Sequence, residues 1–490
     1  MEYNYDEPFM PVEWNFRRKV CYYLDFITVE PTLYLYMMAF MITSVLENAF
    51  FVDKACRVNH HLNDTICGDI ANKAYSDLNR EVQVTVSNFN LWNDIAGHTG
   101  QIILALFMGA WSDKRGRKMP LLIGLIGKFY YSVMVVVNSM QTTWPVEYIV
   151  YTATLPMAFT GADVAIFAAA FSYLVDVSSS ENRTLRVTLL EVIYLSTMPT
   201  GIALGSYLFR KVFNKSYTMM FTLNAILMFL AIVYSLLRLQ WRTTNEQSPL
   251  PKLRYIVCDF FDYNHVVFTF KTVFKERAAN RRRYLLLLIT MMGLYTFQRD
   301  EKNACYLYLQ NVFHWSFKQI SNFSTFKSAF QDIGLITAIP FMSRVLGWKD
   351  TIIVMIGAFA HTIARIFFII AETDVIFYTG GAFAALGPIV APVIRSMVSK
   401  IVAVTEKGAA FSILSVADNA IPVISGVMYS KLYNWTIDSA PFAIFFLTMC
   451  TQLGVLIAVV YIHFSARREE NLIHTEKREE RDSVSEVYNT

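Results

Sequence analysis

Charge is scarce in this chain, because only 17% of its 490 residues are charged whereas 54% are hydrophobic. A water-soluble fold of this size needs more polar surface, so the composition excludes an ordinary soluble globular protein. A net charge of +4 is also too small to indicate nucleic-acid binding. The sequence contains no nucleophile-elbow, phosphate-loop or metal-ligand pattern. We therefore expect no enzyme activity, no cofactor and no metal.

The N-terminus lacks a secretory signal. Its first 28 residues are charged and aromatic, with acidic residues ahead of Arg17, Arg18 and Lys19. A cleavable signal would have a basic start followed by an apolar run. The first membrane span must therefore act as its own insertion signal.

Long apolar runs dominate the rest of the chain. A bilayer core about 30 Å thick requires roughly 20 apolar residues per helix and provides no water for bare backbone groups. Continuous runs such as 442–460 predict helices, since barrel strands would alternate. The predicted fold is an all-α membrane protein with two six-helix bundles. Its spans lie near residues 30–51, 90–111, 119–140, 147–175, 185–209, 217–238, 284–309, 325–345, 351–370, 375–399, 409–432 and 441–464.

The longest polar break separates the sixth span from the seventh and divides the chain into halves. Lys and Arg concentrate in segments that an N-terminus-inside topology places in the cytosol. Both termini are therefore predicted to be cytosolic. The predicted organisation is an N-terminal segment (1–28), an N-terminal bundle (29–238), a cytoplasmic central loop (239–283), a C-terminal bundle (284–464) and a charged cytoplasmic tail (465–490).

Asn-X-Ser/Thr sequons support this topology. Of the five sequons, the one at Asn182 falls in a predicted cytoplasmic segment, where the glycosylation machinery does not act. The sequons in predicted outer loops are those at Asn63, Asn214, Asn322 and Asn434. These four residues are the predicted glycosylation sites.

Two of the six cysteines lie in the long loop before the second span, which the topology exposes to an oxidising compartment. A local disulfide between Cys56 and Cys67 is one alternative. Pairing of either residue with Cys305 is the other.

A string between the second and third spans carries the most specific signal. It reads Gly109-Ala-Trp-Ser-Asp113-Lys114-Arg115-Gly116-Arg117-Lys118. Physically, Asp113 can pair with cations and with a helix terminus, and Gly116 permits a tight turn. The string resembles the signature loop of the major facilitator superfamily, G-x-x-x-D-(R/K)-x-G-R-(R/K). The resemblance implies a latch that holds the halves in an outward-open state. Its gating residues would be Gly109, Asp113, Lys114, Gly116, Arg117 and Lys118.

A narrower resemblance begins at the end of the fourth span with Asp176-Val-Ser178-Ser-Ser-Glu-Asn-Arg183-Thr. Together with Val29-Glu30-Pro31 and the segment 395–412, it resembles solute carrier family 46, the proton-coupled folate transporter family. The family loop is marked here by Asp176, Ser178 and Arg183. The resemblance implies a secondary active transporter that works by alternating access, with protons as the coupling ion. Its substrate would be an organic anion such as a folate, a cyclic dinucleotide or a muropeptide.

Ionisable residues inside a bilayer are functional candidates by default. By resemblance, Glu191 in the fifth span is implied in proton coupling; pairing with Arg186 or Lys400 is the structural alternative. Asp163 in the fourth span also matches a family carboxylate, which either couples protons or shapes the cavity. Arg395 in the tenth span matches a family arginine implied in substrate binding. A guanidinium can clamp a carboxylate, although a structural charge is the alternative.

The seventh span is interrupted by Gln298-Arg299-Asp300-Glu301-Lys302-Asn303. Broken helices in carriers often place charges at the binding site, so Arg299 and Asp300 are predicted to bind substrate. The alternative is a span whose outer end is simply hydrated. This span lacks the histidine that assists proton coupling in the folate transporter, so folate itself is in doubt as the substrate.

The alternative function is a transceptor, a non-transporting sensor or scaffold with a carrier fold. The intact signature loop and the membrane charges favour transport. Predicted partners are the lipid bilayer and a small organic anion, without nucleic acid, and the protein is expected to be a monomer or weak homo-oligomer. The plasma membrane is favoured over a lysosomal or endosomal membrane, although 468–473 resembles a dileucine sorting signal.

Overall fold

The computed structural model describes residues 27–178, 183–243, 247, 259–263, 267, 271, 275, 280–402 and 407–488. All regular elements among these residues are helical. The N-terminal segment before residue 27, the sequon at Asn182 and most of the central loop lie outside them. The side chains of Asp113 and Arg183, and the surroundings of Gly109, are also outside the described part.

We number six helices in the described part of the N-terminal half and count the pieces of a broken helix together. A π-helical turn, Val150–Thr154, precedes helix 4. The bounds are Glu30–Thr43 with Leu46–Lys54 for helix 1, Ser76–Arg115 for helix 2, Lys118–Met140 for helix 3, Leu155–Ala158 with Ala162–Asp176 for helix 4, Arg183–Tyr207 for helix 5 and Tyr217–Arg238 for helix 6.

The described part of the C-terminal half is numbered in the same way. A 3-10 turn, Phe297–Arg299, separates the two pieces of helix 7. The bounds are Arg281–Thr296 with Glu301–Val312 for helix 7, Phe317–Pro340 for helix 8, Asp350–Ile369 for helix 9, Asp374–Phe383 with Val390–Ile401 for helix 10, Lys407–Thr436 for helix 11 and Ala443–Tyr488 for helix 12.

Each predicted span coincides with one numbered helix. Seven helical segments of the described chain are long and apolar enough to cross a membrane, or up to eight if the bent helix 1 is included. Two ends differ from the prediction. Helix 2 begins at Ser76 instead of near residue 90, and helix 12 continues to Tyr488, well into the predicted tail.

The two halves repeat one packing pattern. Helix 3 packs against helices 4 and 6 in the first half as helix 9 packs against helices 10 and 12 in the second. Helix 1 contacts helices 5 and 6 as helix 7 contacts helices 11 and 12. Such internal repeats are typical of secondary transporters. Between the halves, helix 2 packs on helix 11 and helix 5 packs on helix 8.

The halves are joined at the end of the molecule that the charge bias places outside, which we call the outer end. Here a single apolar cluster draws on both halves, from Ile42 to Phe445. Towards the opposite, inner end, each half has a separate apolar cluster. The local disulfide between Cys56 and Cys67 also lies at the outer end, and Cys305 is a free thiol.

Polar contacts reinforce this closure along what we call the outer seam, where residues 76–94 of helix 2 meet helix 7 and residues 425–438 of helix 11. Ser87 Oγ donates to the Ser430 carbonyl at 3.2 Å. Gln83 donates to the Leu307 carbonyl at 3.2 Å and accepts a 2.6 Å hydrogen bond from Tyr433. With the halves joined here and separate towards the inner end, the structure has the shape of an inward-open carrier.

Candidate functional site

The candidate site is the cavity between the halves on the inner side of the seam. Glu191 of helix 5 is exposed there and forms no ion pair with any described residue. It interacts electrostatically with Arg395 of helix 10, whose side chain is 48% exposed. Residues predicted from the sequence to couple protons and to bind substrate therefore face each other from opposite halves.

Both predicted alternative partners of Glu191 are engaged elsewhere. Arg186 pairs with Glu30 at 3.0 Å. Lys400 pairs with Asp350 at 2.6 Å. Among the described residues, the structure thus gives no support to a helix-end ion pair for Glu191.

Arg395 and Arg299 meet at one aspartate of helix 11. Arg395 Nη2 lies 2.9 Å from Asp418 Oδ2, and Arg299 Nη1 donates to the Asp418 backbone carbonyl at 3.3 Å. Thr296 Oγ1 donates to the other carboxylate oxygen at 2.8 Å. Helix 7 can deliver Arg299 here because its 3-10 turn interrupts the helix at this point. Both guanidinium groups therefore contact Asp418, Arg395 through the carboxylate and Arg299 through the backbone carbonyl.

Asp300 lies apart from this pair of arginines. It is 9% exposed, and its carboxylate accepts a hydrogen bond from Ser425 in the outer seam. The prediction that Asp300 joins Arg299 and Arg395 in binding substrate therefore fails on geometry. Successive residues of a helical turn project in directions about 100° apart, so neighbours in sequence need not share a face.

The next residue anchors the break in the C-terminal half. Glu301 forms a two-point ion pair with Arg365, with N–O distances of 3.1 and 3.0 Å. Arg365 also donates to His361 Nδ1 at 2.6 Å. Since a guanidinium can only donate, this histidine nitrogen must be unprotonated. The interaction fixes the second piece of helix 7 against helix 9.

Two lysines join Arg299 and Arg395 on the C-terminal side of the cavity, and we call these four residues the cationic wall. Lys302 of helix 7 is exposed and Lys327 of helix 8 is half-buried. They interact electrostatically with each other, and Lys302 also interacts with Glu47 of helix 1. Within the described chain, neither lysine forms a hydrogen bond or an ion pair. The C-terminal half therefore presents more positive than negative charge to the cavity.

The N-terminal half contributes a cavity of about 150 Å³ next to this wall. Asp163 lies in it, 2.8 Å from Lys128 Nζ, and accepts a hydrogen bond from Tyr36. His98 and Glu47 line the same cavity. Because Lys128 balances the charge of Asp163, the geometry favours a cavity-shaping role over a proton-coupling role for this aspartate.

The signature loop turns at Gly116, where φ is +106°. Arg117 pairs with Asp176 at 3.1 Å, which ties the loop to the end of helix 4. Lys118 Nζ donates to the carbonyls of Leu236 and Leu239 at the end of helix 6. These contacts fasten the inner ends of helices 3, 4 and 6 together.

The central loop docks on the same region through Asp259. Its carboxylate accepts hydrogen bonds from Arg115 at 2.6 and 2.8 Å and from Trp111 at 2.9 Å. Lys114 lies 3.3 Å away. The Arg115 hydrogen bonds hold the pKa of the Asp259 carboxyl well below its usual range. The cations of the signature loop are therefore occupied in this inward-open state.

The other predicted residues have simpler surroundings. Ser178 donates to the Leu174 carbonyl at 2.5 Å and is buried at the end of helix 4, which is a structural role. Asn434 Nδ2, the atom a glycan would occupy, donates to Asn88 at 2.9 Å. The remaining predicted glycosylation sites are exposed, namely Asn63, Asn214 and Asn322.

Sequence reasoning passed over Asp418, Lys302, Lys327 and Glu47 as site residues. Each is an ionisable residue within a helix of a bundle, and such residues are functional candidates. The available signal was the charge itself, which singled out residues only at matched family positions and, for Arg299 and Asp300, at the break in the seventh span.

Comparison with known proteins supports this architecture. The model of the Major Facilitator Superfamily matches residues 70–369. The proton-coupled folate transporter of Bos taurus is 25% identical over 459 residues, which cover 89% of this chain and 91% of the relative. The lysosomal proton-coupled steroid conjugate and bile acid symporter of Gallus gallus is 24% identical, over 84% and 88% of the two chains. The crystal structure of the human organic anion transporter MFSD10 superimposes with a TM-score of 0.61 at 13% identity, covering 88% of this chain and 97% of that one.

Proposed function

Because the chain belongs to the Major Facilitator Superfamily, we propose that it moves an organic anion by alternating access with protons as the coupling ion. It is a multi-pass membrane transporter, not an enzyme. The observation that carries the anion proposal is the excess of cations on the C-terminal wall of the cavity.

Four cationic side chains of this wall outnumber two carboxylates of the C-terminal half, Asp418 and Asp332, the latter of which faces Tyr194 of helix 5. Arg299 and Arg395 share Asp418. Lys302 and Lys327 have no ion pair within the described chain. Unbalanced charge at membrane depth is costly, so an anionic ligand would stabilise the occupied cavity. Folates and bile acids, which the relatives' names specify, carry carboxylate groups that a guanidinium binds through two hydrogen bonds.

Glu191 supplies a means of coupling anion binding to protons. Its carboxylate faces Arg395 across the cavity and competes with a substrate carboxylate for the same guanidinium. A proton on Glu191 removes that competition and one negative charge. Proton and anion should then bind with positive cooperativity, and each raises the affinity for the other by the same factor.

The test is uptake of radiolabelled folate and of a radiolabelled bile acid into proteoliposomes at acidic and neutral outer pH. Lys302→Gln and Arg395→Gln should each weaken anion binding about tenfold or more, as expected for loss of a charged hydrogen-bond partner. The matched control is Lys431→Gln, an exposed lysine of helix 11 far from this wall. It should behave as wild type.

Glu191→Gln tests the coupling separately. Glutamine keeps the size and hydrogen bonding of glutamate but cannot exchange a proton. Counterflow of substrate should survive while the dependence of uptake on pH is lost. Wild-type affinities in both cation variants would contradict the anion site, and an unchanged pH profile in Glu191→Gln would remove Glu191 from the coupling role.

A further inference from the structure

A second acidic site lies in the outer seam, away from Glu191. Asp94 of helix 2 and Asp300 at the break of helix 7 line one small cavity of about 10 Å³, roughly the size needed for a single water molecule. Asp94 belongs to the N-terminal half and Asp300 to the C-terminal half. The seam therefore brings together two carboxylates that the two halves carry separately.

The two groups are held close by the surrounding backbone. Asp94 Oδ2 lies so near helix 11 that a Cβ added at Gly426 would be 2.7 Å from it. Ser425, the preceding residue, donates its hydroxyl to Asp300. Asp94 and Asp300 interact electrostatically. Only a closed outer end permits this arrangement, because Gly426 and Asp94 are on opposite halves.

No cation pairs with either carboxylate among the described residues. Arg299, next to Asp300 in sequence, instead contacts Asp418, and Lys128 pairs with Asp163. The ionisable groups that face the pair from the packed helices are Glu47 of helix 1, His98 of helix 2, Lys128 and Tyr131 of helix 3, Asp163 of helix 4, Arg299 of helix 7 and Tyr429 of helix 11. The permanent cations in this set are Lys128 and Arg299, and each contacts an aspartate other than Asp94 and Asp300.

An unpartnered amide points into the same cavity. Asn90 is only 4% exposed, lines the cavity and forms no hydrogen bond with any described residue. Its amide is therefore available to hydrogen-bond a polar group in the cavity. One carboxylic acid beside one carboxylate would offer Asn90 both a donor and an acceptor.

We propose that Asp94 and Asp300 form a proton-binding site that is complete only when the outer end is closed. Two carboxylates that line one water-sized cavity repel each other when both are ionised, so the closed state favours one proton shared between them. When the halves part, each carboxylate becomes hydrated and the proton returns to the outer solution. This proton is distinct from one carried through the cavity by Glu191.

The consequence is a pH-sensitive outer gate. The closed state binds one proton more than the open state, so closure is favoured as the outer pH falls. Linkage of one proton changes the ratio of closed to open molecules by up to about tenfold per pH unit. Acidic outer solution would thus shift the carrier towards the inward-open state even without substrate.

The experiment measures that ratio in the full-length protein in lipid nanodiscs with no substrate present. Spin labels at Glu81→Cys and Trp435→Cys, both exposed at the outer end, report the separation of helices 2 and 11 in a background whose unpaired cysteines are serine. Distance distributions are recorded from about pH 5 to about pH 8. The closed fraction should rise as the pH falls.

Asp94→Asn and Asp300→Asn should each favour the closed state and flatten its pH dependence, since neither variant brings two charges together. The matched control is Asp438→Asn, which removes an exposed seam carboxylate that pairs with Arg80. It should keep the wild-type slope. Glu191→Gln should also keep it, whatever its effect on transport, so this inference and the proposed function fail independently. A wild-type slope in both seam variants, or a flat slope in Asp438→Asn, would overturn the proposal.

Discussion

The ion pair between Arg365 and Glu301 is expected to dominate the stability of the C-terminal half. The two side chains are only 1% and 3% exposed and share two hydrogen bonds. Arg365→Met retains most of the side chain's apolar volume and removes its charge. It leaves the Glu301 carboxylate with the hydroxyl of Thr448 as its remaining hydrogen-bond donor.

The magnitude follows from this burial. Removing one partner of a buried ion pair costs about 3–5 kcal/mol, because the other charge stays buried without compensation. The exposed pair of Arg395 with Asp418 provides the matched comparison, since its arginine side chain is 48% exposed. Exposed pairs contribute about 0–1 kcal/mol. Arg365→Met should therefore destabilise the protein several times more than Arg395→Met.

Unfolding in mixed micelles with increasing amounts of sodium dodecyl sulfate measures both free energies. The double variant Arg365→Met/Glu301→Gln should recover part of the loss, because it removes the uncompensated charge. If Arg365→Met costs no more than Arg395→Met, the buried pair does not hold helix 7 in place and the reasoning is wrong.

Two further predictions concern the inner face. A Cβ at Gly116 would lie 2.5 Å from the Trp241 carbonyl oxygen at a φ of +106°, whereas Gly347, at +61°, has no atom within 4 Å. Gly116→Ala should therefore reduce the yield of monodisperse protein in size-exclusion chromatography several-fold more than Gly347→Ala. Asp259→Asn should speed proteolysis of the central loop, since its hydrogen bonds with Arg115 weaken. Because the folded-state pKa of Asp259 is lowered, docking is stabilised above the ordinary aspartate pKa and lost only as the pH falls through the lowered value. Wild-type proteolysis should thus be equal at mildly acidic and neutral pH.

The helices were predictable because lipid imposes a simple rule, namely about 20 apolar residues per crossing. The rule fails where a helix faces a protein partner instead of lipid. Asn79, Gln83 and Ser87 made the start of helix 2 resemble a loop, yet all three are buried in the outer seam. Gln83 and Ser87 hydrogen-bond to the other half of the protein, more than two hundred residues away, and Asn79 accepts a hydrogen bond from Gln83.

Individual candidate residues could be identified from the sequence where the family resemblance matched a single position. Glu191 and Arg395, both named through the family resemblance, interact electrostatically across the cavity, and their roles in coupling and binding stay predictions. Asp418 was missed because its importance comes from two arginines on other helices. Helix 7 lacks the family histidine, and His361 of the adjacent helix 9 is a candidate to replace it. The His361 ring, however, accepts a hydrogen bond from Arg365, which holds the ring in its neutral form. His361 therefore cannot replace the missing histidine as a proton carrier while the ion pair is intact.

The break in helix 7 explains how the seam and the cavity can respond to different ligands. Glu301 anchors the break to Arg365, so Asp300 and Lys302 on either side of it move with the C-terminal half. Asp94 moves with the N-terminal half. Opening the outer end must therefore separate Asp94 from Asp300, whereas Lys302 keeps its position relative to Arg299 and Arg395 on its own half. It follows that substitutions in the seam should alter the closed fraction of the gate, and substitutions on the cationic wall should alter anion affinity.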